Sequence, residues 1–133
     1  MSEIEESLRT YLLTQSGLTA LIVNRVMPDE YTAGVTLPAV TYQKISDVKD
    51  HLLTGQSTVE RPVFQYTTYA RSRAVARSVT NQLKTALCDY SGTLSGIVVQ
   101  KIELQNEMSG IETDGVSRVY TEDLEFQVTF ERS

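Results

Sequence analysis

The sequence predicts an α+β fold: a mostly antiparallel sheet of about four to five strands, with an N-terminal helix and one long amphipathic helix packed on one face. Three observations carry that expectation. Tyr120, Leu124, Phe126, Val128 and Phe130 alternate with Thr121, Asp123, Glu125, Gln127 and Thr129. That is the period of a strand covered on one side and wet on the other. From Ser72 the period becomes helical, with Val75, Val79, Leu83, Ala86 and Leu87 on one stripe. Near the N-terminus, Ser2 and Glu5 have the spacing of a capping box, and Ile4, Leu8, Tyr11 and Leu12 follow as an apolar stripe.

The remaining elements follow in order. Glu3, Glu5 and Glu6 suit the positive end of the first helix, and Gln15-Ser16-Gly17 stops it. Leu18, Leu21 and Ile22 predict a second short helical turn ending near Asn24, and Arg25 to Met27 a brief strand closed by Pro28. Asp29 to Thr36 reads as a loop. Pro38 opens a strand over Ala39 to Ile45, and Pro is tolerated at a strand's first position. Ser46 to Thr58 is polar and reads as a long loop or an extended hairpin arm. Val59 to Tyr69 alternates as a strand, and Pro62 places it at an edge or at a bulge. After the long helix, Ser91-Gly92 marks a break. Ile97 to Asn106 reads as a strand with Val98, Ile102 and Leu104 on one face, and Glu107 to Gly115 as a second loop. The 133 residues fit a single domain over 1–133, with no internal repeat or interdomain linker.

Composition narrows the function. The chain is 41% hydrophobic and 22% charged, as ordinary globular proteins are, and its net charge is -5. An acidic chain gains little from counterion release on nucleic acid. No apolar run approaches the ~20 residues that span a bilayer, and no polybasic membrane patch is present. The acidic start, Ser2-Glu3-Ile4-Glu5-Glu6, is unlike the basic start of an export signal, so synthesis in a cytoplasm is expected. One cysteine, Cys88, allows no internal disulfide.

No reaction centre stands out. His51 is the single histidine and sits in a charged stretch beside Asp50, as surface histidines do. Cys88 ends the long helix beside Leu87 and reads as a small packed hydrophobe. One Cys and one His fall short of the four ligands of a structural zinc site. Gly34, Gly92 and Gly96 are isolated and make no phosphate loop. Glu112 and Asp114 lack calcium-loop spacing. Asp123 and Glu125 share the outward face of the last strand, where a solvated face is the plainer reading than an acid–base pair. Arg73, Arg77 and Lys84 share one helix face. They are either solvated or in contact with an acidic surface of a neighbouring copy. No catalytic residue, cofactor or metal is assigned, and the chain is expected not to be an enzyme.

Taken in order, the segments resemble a known family. They are Leu12-Leu13, Gly17-Leu18-Thr19-Ala20-Leu21-Ile22, Arg25-Val26-Met27-Pro28 and Leu37-Pro38-Ala39-Val40-Thr41-Tyr42-Gln43-Lys44-Ile45-Ser46. A polar stretch with Asp50-His51 and Gly55 follows, then Val63-Phe64-Gln65, the helix from Ala74 to Leu87, and Arg118-Val119-Tyr120 with the final strand. The chain resembles the tail completion proteins of long-tailed bacteriophages, also described as tail-to-head joining or tail terminator proteins.

The resemblance implies a structural virion protein at the head-proximal end of the tail, assembled in the cytoplasm of a bacterial host. Its subunits would form a ring, with six as the candidate number, that terminates the tube and joins the head. The implied partners are further copies of itself, the tail tube protein and head–tail connector proteins, while DNA passes through without specific binding. The alternative is another head–tail connector or tail-tube component of similar fold. A ring needs head-to-tail contacts, which strand edges and polar loops can supply. The candidate assembly contacts are Asp47, Lys49, Asp50, His51, Arg73, Arg77, Lys84, Glu112 and Asp114. The candidate lumen-facing residues are Asp123 and Glu125.

Overall fold

A computed structural model describes residues 4–29, 36–52, 55–94, 96–114 and 117–132, with the side chains of 47–58, 114–117 and 132 left out of the description. The elements are α1 (Ile4–Leu12), α2 (Ser16–Ile22), β1 (Val26–Pro28), β2 (Ala39–Leu52), β3 (Gly55–Ala70), α3 (Arg73–Leu87), β4 (Gly92–Leu94), β5 (Ile97–Asp114) and β6 (Ser117–Arg132). The strands form one six-stranded sheet in the order β1-β2-β3-β6-β5-β4. The expected α+β class holds, with six strands instead of four or five. The sheet is mixed, because β1 runs parallel to β2, Val26 opposite Val40.

One face of the sheet carries the core. Ile4, Leu8 and Leu12 from α1, Leu18 and Ile22 from α2, and Val79, Leu83 and Leu87 from α3 join Phe64, Tyr66, Leu124, Phe126, Val128 and Phe130 in a single buried cluster. The alternation of β6 and the stripe of α3 therefore do what their periods require. Val75 is the exception: it is exposed, and Ala76 and Thr80 take the inward positions beside Val79 and Leu83. Ser72 caps α3, its hydroxyl accepting from the Val75 N–H at 3.2 Å. Tyr11 ties α1 to the end of α3 by donating to the Ala86 carbonyl at 2.8 Å. Arg9 ties α1 to β1 by donating to the Val26 carbonyl at 2.7 Å. Ser2 of the expected capping box lies outside the described residues.

Several expectations are corrected. Glu107 to Asp114 is not a loop. It continues β5, with Glu107 opposite Leu124 and Asp114 opposite Ser117 on β6. Ser46 to Thr58 takes the hairpin-arm alternative, with Asp47 opposite Pro62 and Leu52 opposite Gly55. Pro62 is not on an edge, because β3 lies between β2 and β6. Its missing N–H falls where the ladder to β6 skips from Glu60 to Val63, and a register shift lies beside it between Lys44 and Ser46. Val98 is 41% exposed, while Ile97, Val99 and Ile102 are buried. A bulge between Val99 and Lys101 switches the face of the strand, so one alternation cannot hold for both sides of it.

The two hairpins reach past opposite ends of the sheet. β3 meets β6 from Val59 opposite Glu131 to Ala70 opposite Tyr120. The β2–β3 arm extends beyond the first pair and the β5–β6 arm beyond the second.

Candidate assembly surfaces

Arg73 opens α3, and the sheet delivers two carbonyls and a carboxylate to it. Its guanidinium donates to the Thr121 carbonyl at 2.8 Å and to the Gly110 carbonyl at 2.9 Å. It also lies 3.2 Å from Glu122 Oε1 and 5.2 Å from the centre of the Tyr120 ring. Glu122 in turn accepts from the Ser109 hydroxyl at 2.5 Å. Arg77 approaches the same carboxylate at 4.0 Å with a side chain 72% exposed. Farther along the helix, Lys84 pairs with Glu107. Arg77, Lys84, Glu107, Ser109 and Glu122 line a cleft of about 340 Å³ between α3 and the β5–β6 hairpin.

The basic face of α3 is therefore not solvated as a unit, and within the chain it already has acidic partners. Arg73 and Lys84 brace the hairpin against the helix, and Arg77 alone of the three projects mainly into water. Glu122, next to Asp123 on the last strand, was not among the residues singled out from the sequence. Its even number puts it in register with Leu124 and Phe126, and a carboxylate on that inward face is the signal that could have found it.

The helix-free face carries a second, shallower feature. Asp29, Glu112 and Asp123 edge a polar groove of about 200 Å³ with Gln65, Thr67 and Thr121 at its floor. No lysine or arginine lines it among the described residues. Glu125 shares this outward face, opposite Gln65 on β3 and Asn106 on β5. Thus the structure brings Glu112 to the same face as Asp123 and Glu125, which sequence reasoning had kept apart. Asp47, Lys49, Asp50 and His51 have backbone positions on the β2 arm, and their side chains lie outside the described residues, as does that of Asp114.

Cys88 is half-buried at the end of α3, and burial, with Asp89 next, pushes its thiol pKa up. It is therefore held as the weakly nucleophilic thiol at neutral pH. Among the described residues no group of three or more His, Cys, Asp or Glu is placed to hold a metal ion. No helix among them is long and apolar enough to cross a membrane.

Residues 6–131 match the family model described as tail completion protein gp17. The chain belongs to that family. It is thus a structural protein of the phage tail, as the order of its segments suggested. A search of curated proteins returns no match. Among solved structures, a chain of the virion of the native gene transfer agent (GTA) particle superimposes with a TM-score of 0.73 at 14% identity, over 98% of this tail completion protein and 99% of that chain. At that identity the likeness is one of fold.

Proposed function

We propose that this protein closes the head-proximal end of the tail tube as a ring of identical subunits and offers the head connector its docking surface. The observation that carries the reading is the family match over residues 6–131. The fold's near end-to-end likeness to a chain of a phage-like virion supports it. The surface supports it too, through two hairpin arms directed past opposite ends of one sheet. Its partners are further copies of itself, the tail tube protein and the connector, and catalysis has no part in the role.

Genome has to slide through a ring in this position. The helix-free face, with Asp29, Glu112, Asp123 and Glu125, has the polarity that repels phosphate and discourages sticking, and it is the face assigned to the hole.

Electron microscopy of particles made without the protein tests the reading. Unjoined heads beside tails of abnormal length are expected. Normal tails that fail to attach would leave a joining role alone. Tubes built from the purified protein itself would favour a tail-tube component, and fully assembled particles would end the structural reading.

A further inference from the structure

β5 forms a border of the sheet. β4 covers it from Ile97 to Val99, and the Asp89 N–H reaches the Ile102 carbonyl. From Glu103 to Asp114 it is the outermost strand among the described residues.

Arg73 shows which way the backbone groups of this border point. One guanidinium holds the carbonyls of Gly110 and Thr121, which stand opposite each other in the register. Both oxygens therefore lie between the strands, within reach of one fork. Antiparallel pairing alternates, so Ser109, Ile111 and Thr113 turn their N–H and C=O groups away from β6. The outward N–H before them, that of Glu107, is taken by Asn106 Oδ1 at 3.0 Å. The outward groups of Ser109, Ile111 and Thr113 have no hydrogen-bond partner among the described residues. Such a run is a template for another strand.

The side chains of the border say what kind of strand fits. Ile111 stands opposite Tyr120 on the helix face, and Met108 opposite Asp123 on the other face. They are 56% and 43% exposed, so each face offers an apolar contact. Gly110 has no side chain between Met108 and Glu112, which leaves room there for a bulky neighbour. The stretch from Glu103 to Asp114 holds Glu103, Glu107, Glu112 and Asp114 and no lysine or arginine. Lys101 answers Glu103 and Lys84 answers Glu107. Glu112 has no ion-pair partner among the described residues, and it edges the acidic groove with Asp29 and Asp123. A second copy of this strand would bring like charge to like, which disfavours pairing. A basic strand would be attracted.

From this we infer that the 109–113 border of β5 docks an extended, basic segment of another protein of the particle, added to the sheet by strand pairing. The bound segment places an apolar side chain beside Ile111 and a lysine or arginine beside Glu112. The inference rests on the reading of this protein as a joint at the tail end, and names one contact of that joint.

A photocrosslinker at the border reads the occupant directly. In the full-length chain Thr113 is replaced by benzoylphenylalanine, particles are assembled and irradiated, and the adduct is sequenced by mass spectrometry. The expected adduct is with a segment of a different protein of the particle, rich in lysine or arginine that alternates with apolar residues. An adduct with another copy of this chain, an adduct with an acidic segment, or none at all would overturn the inference. Micrographs of the same particles locate the protein independently. A normal tail end without the adduct strikes the docking alone, whereas absence of the protein from the tail end strikes the joint reading.

Two variants test the geometry. Ile111→Pro removes an outward N–H and leaves the ladder to β6 intact, as proline does on an edge strand. Glu112→Lys reverses the charge offered to the segment. Each should keep the melting midpoint near that of the wild type and lower the yield of joined particles about tenfold, as expected for a polar group stranded in a contact. If the proline variant fails to fold, Glu112→Lys decides. Wild-type yields from folded variants would overturn the inference.

Discussion

Arg73 and Glu122 meet at 3.2 Å across the junction of helix and sheet, with side chains only 25% and 11% exposed. The same guanidinium holds the carbonyls of Gly110 and Thr121, one from each strand of the β5–β6 hairpin. A single side chain therefore fixes the base of the arm to α3. Gly110 suits the position, since a Cβ there would stand 2.8 Å from the Thr121 hydroxyl. Arg73→Ala leaves Glu122 nearly buried beside two carbonyls that lose their donor. A loss of about 2 kcal/mol is expected in urea unfolding, from stranded polar groups. Arg73→Lys should recover only part of it, because an ammonium cannot reproduce the fork. Equal stability of wild type and Arg73→Ala would show that the brace contributes nothing.

Tyr66 makes a different prediction. It is fully buried among Tyr42 and Phe126 and its hydroxyl has no hydrogen-bond partner among the described residues. Burial, then the charges of Tyr42 and Glu5, push its pKa well above the ordinary 10. Below pH 10 the folded and unfolded chains both keep the proton, and the contribution is complete. Above pH 10 the unfolded chain releases a proton that the folded chain retains, so stability falls as pH rises. Tyr66→Phe should raise stability at pH 7 by about 1 kcal/mol, because an orphaned hydroxyl is removed. It should also flatten the alkaline decline. Denaturation midpoints at pH 7 and pH 11 check both parts, and a destabilised phenylalanine variant would reveal a partner for the hydroxyl.

Asp123 and Glu125 lie on the helix-free face at the middle of the sheet. Replacing both with lysine is expected to leave the fold intact, since surface substitutions typically cost within about 0.5 kcal/mol. Genome ejection should slow, because the hole would then attract phosphate. Fluorescence-monitored ejection from particles carrying the double variant measures it. Unchanged kinetics would place this face away from the DNA.

The β2–β3 arm extends beyond Val59 opposite Glu131, the last pair of β3 with β6 at that end. Deleting Asp47 to Gln56 and rejoining the strands with a short turn should leave a cooperatively folding monomer that does not complete infectious particles. Circular dichroism checks the fold and plaque counts the assembly. Wild-type titres from this variant would exclude the arm from assembly.

What could be read from the sequence followed from burial. The last strand and α3 announced themselves because each has one covered and one wet side: Phe126, Val128 and Phe130 on the former, Val79, Leu83 and Leu87 on the latter. Glu107 to Thr113 gave no such sign, because most of its side chains are exposed on both faces of the arm. Its strand state comes from pairing with β6, a contact between segments that no local pattern encodes. Val98 was assigned to the wrong side because a bulge resets the alternation at Gln100. The Arg73, Arg77 and Lys84 face was legible as a group. Its partners Glu122 and Glu107 come from two other strands and became visible only with the topology.

Cryo-electron microscopy of purified tails, with this chain fitted into the map, tests the central claim most directly. The account predicts a single closed ring of this protein at the end that meets the head, with the Asp123 face toward the hole. Density for the chain repeated along the tube, or at the head portal instead of the tail end, would contradict it.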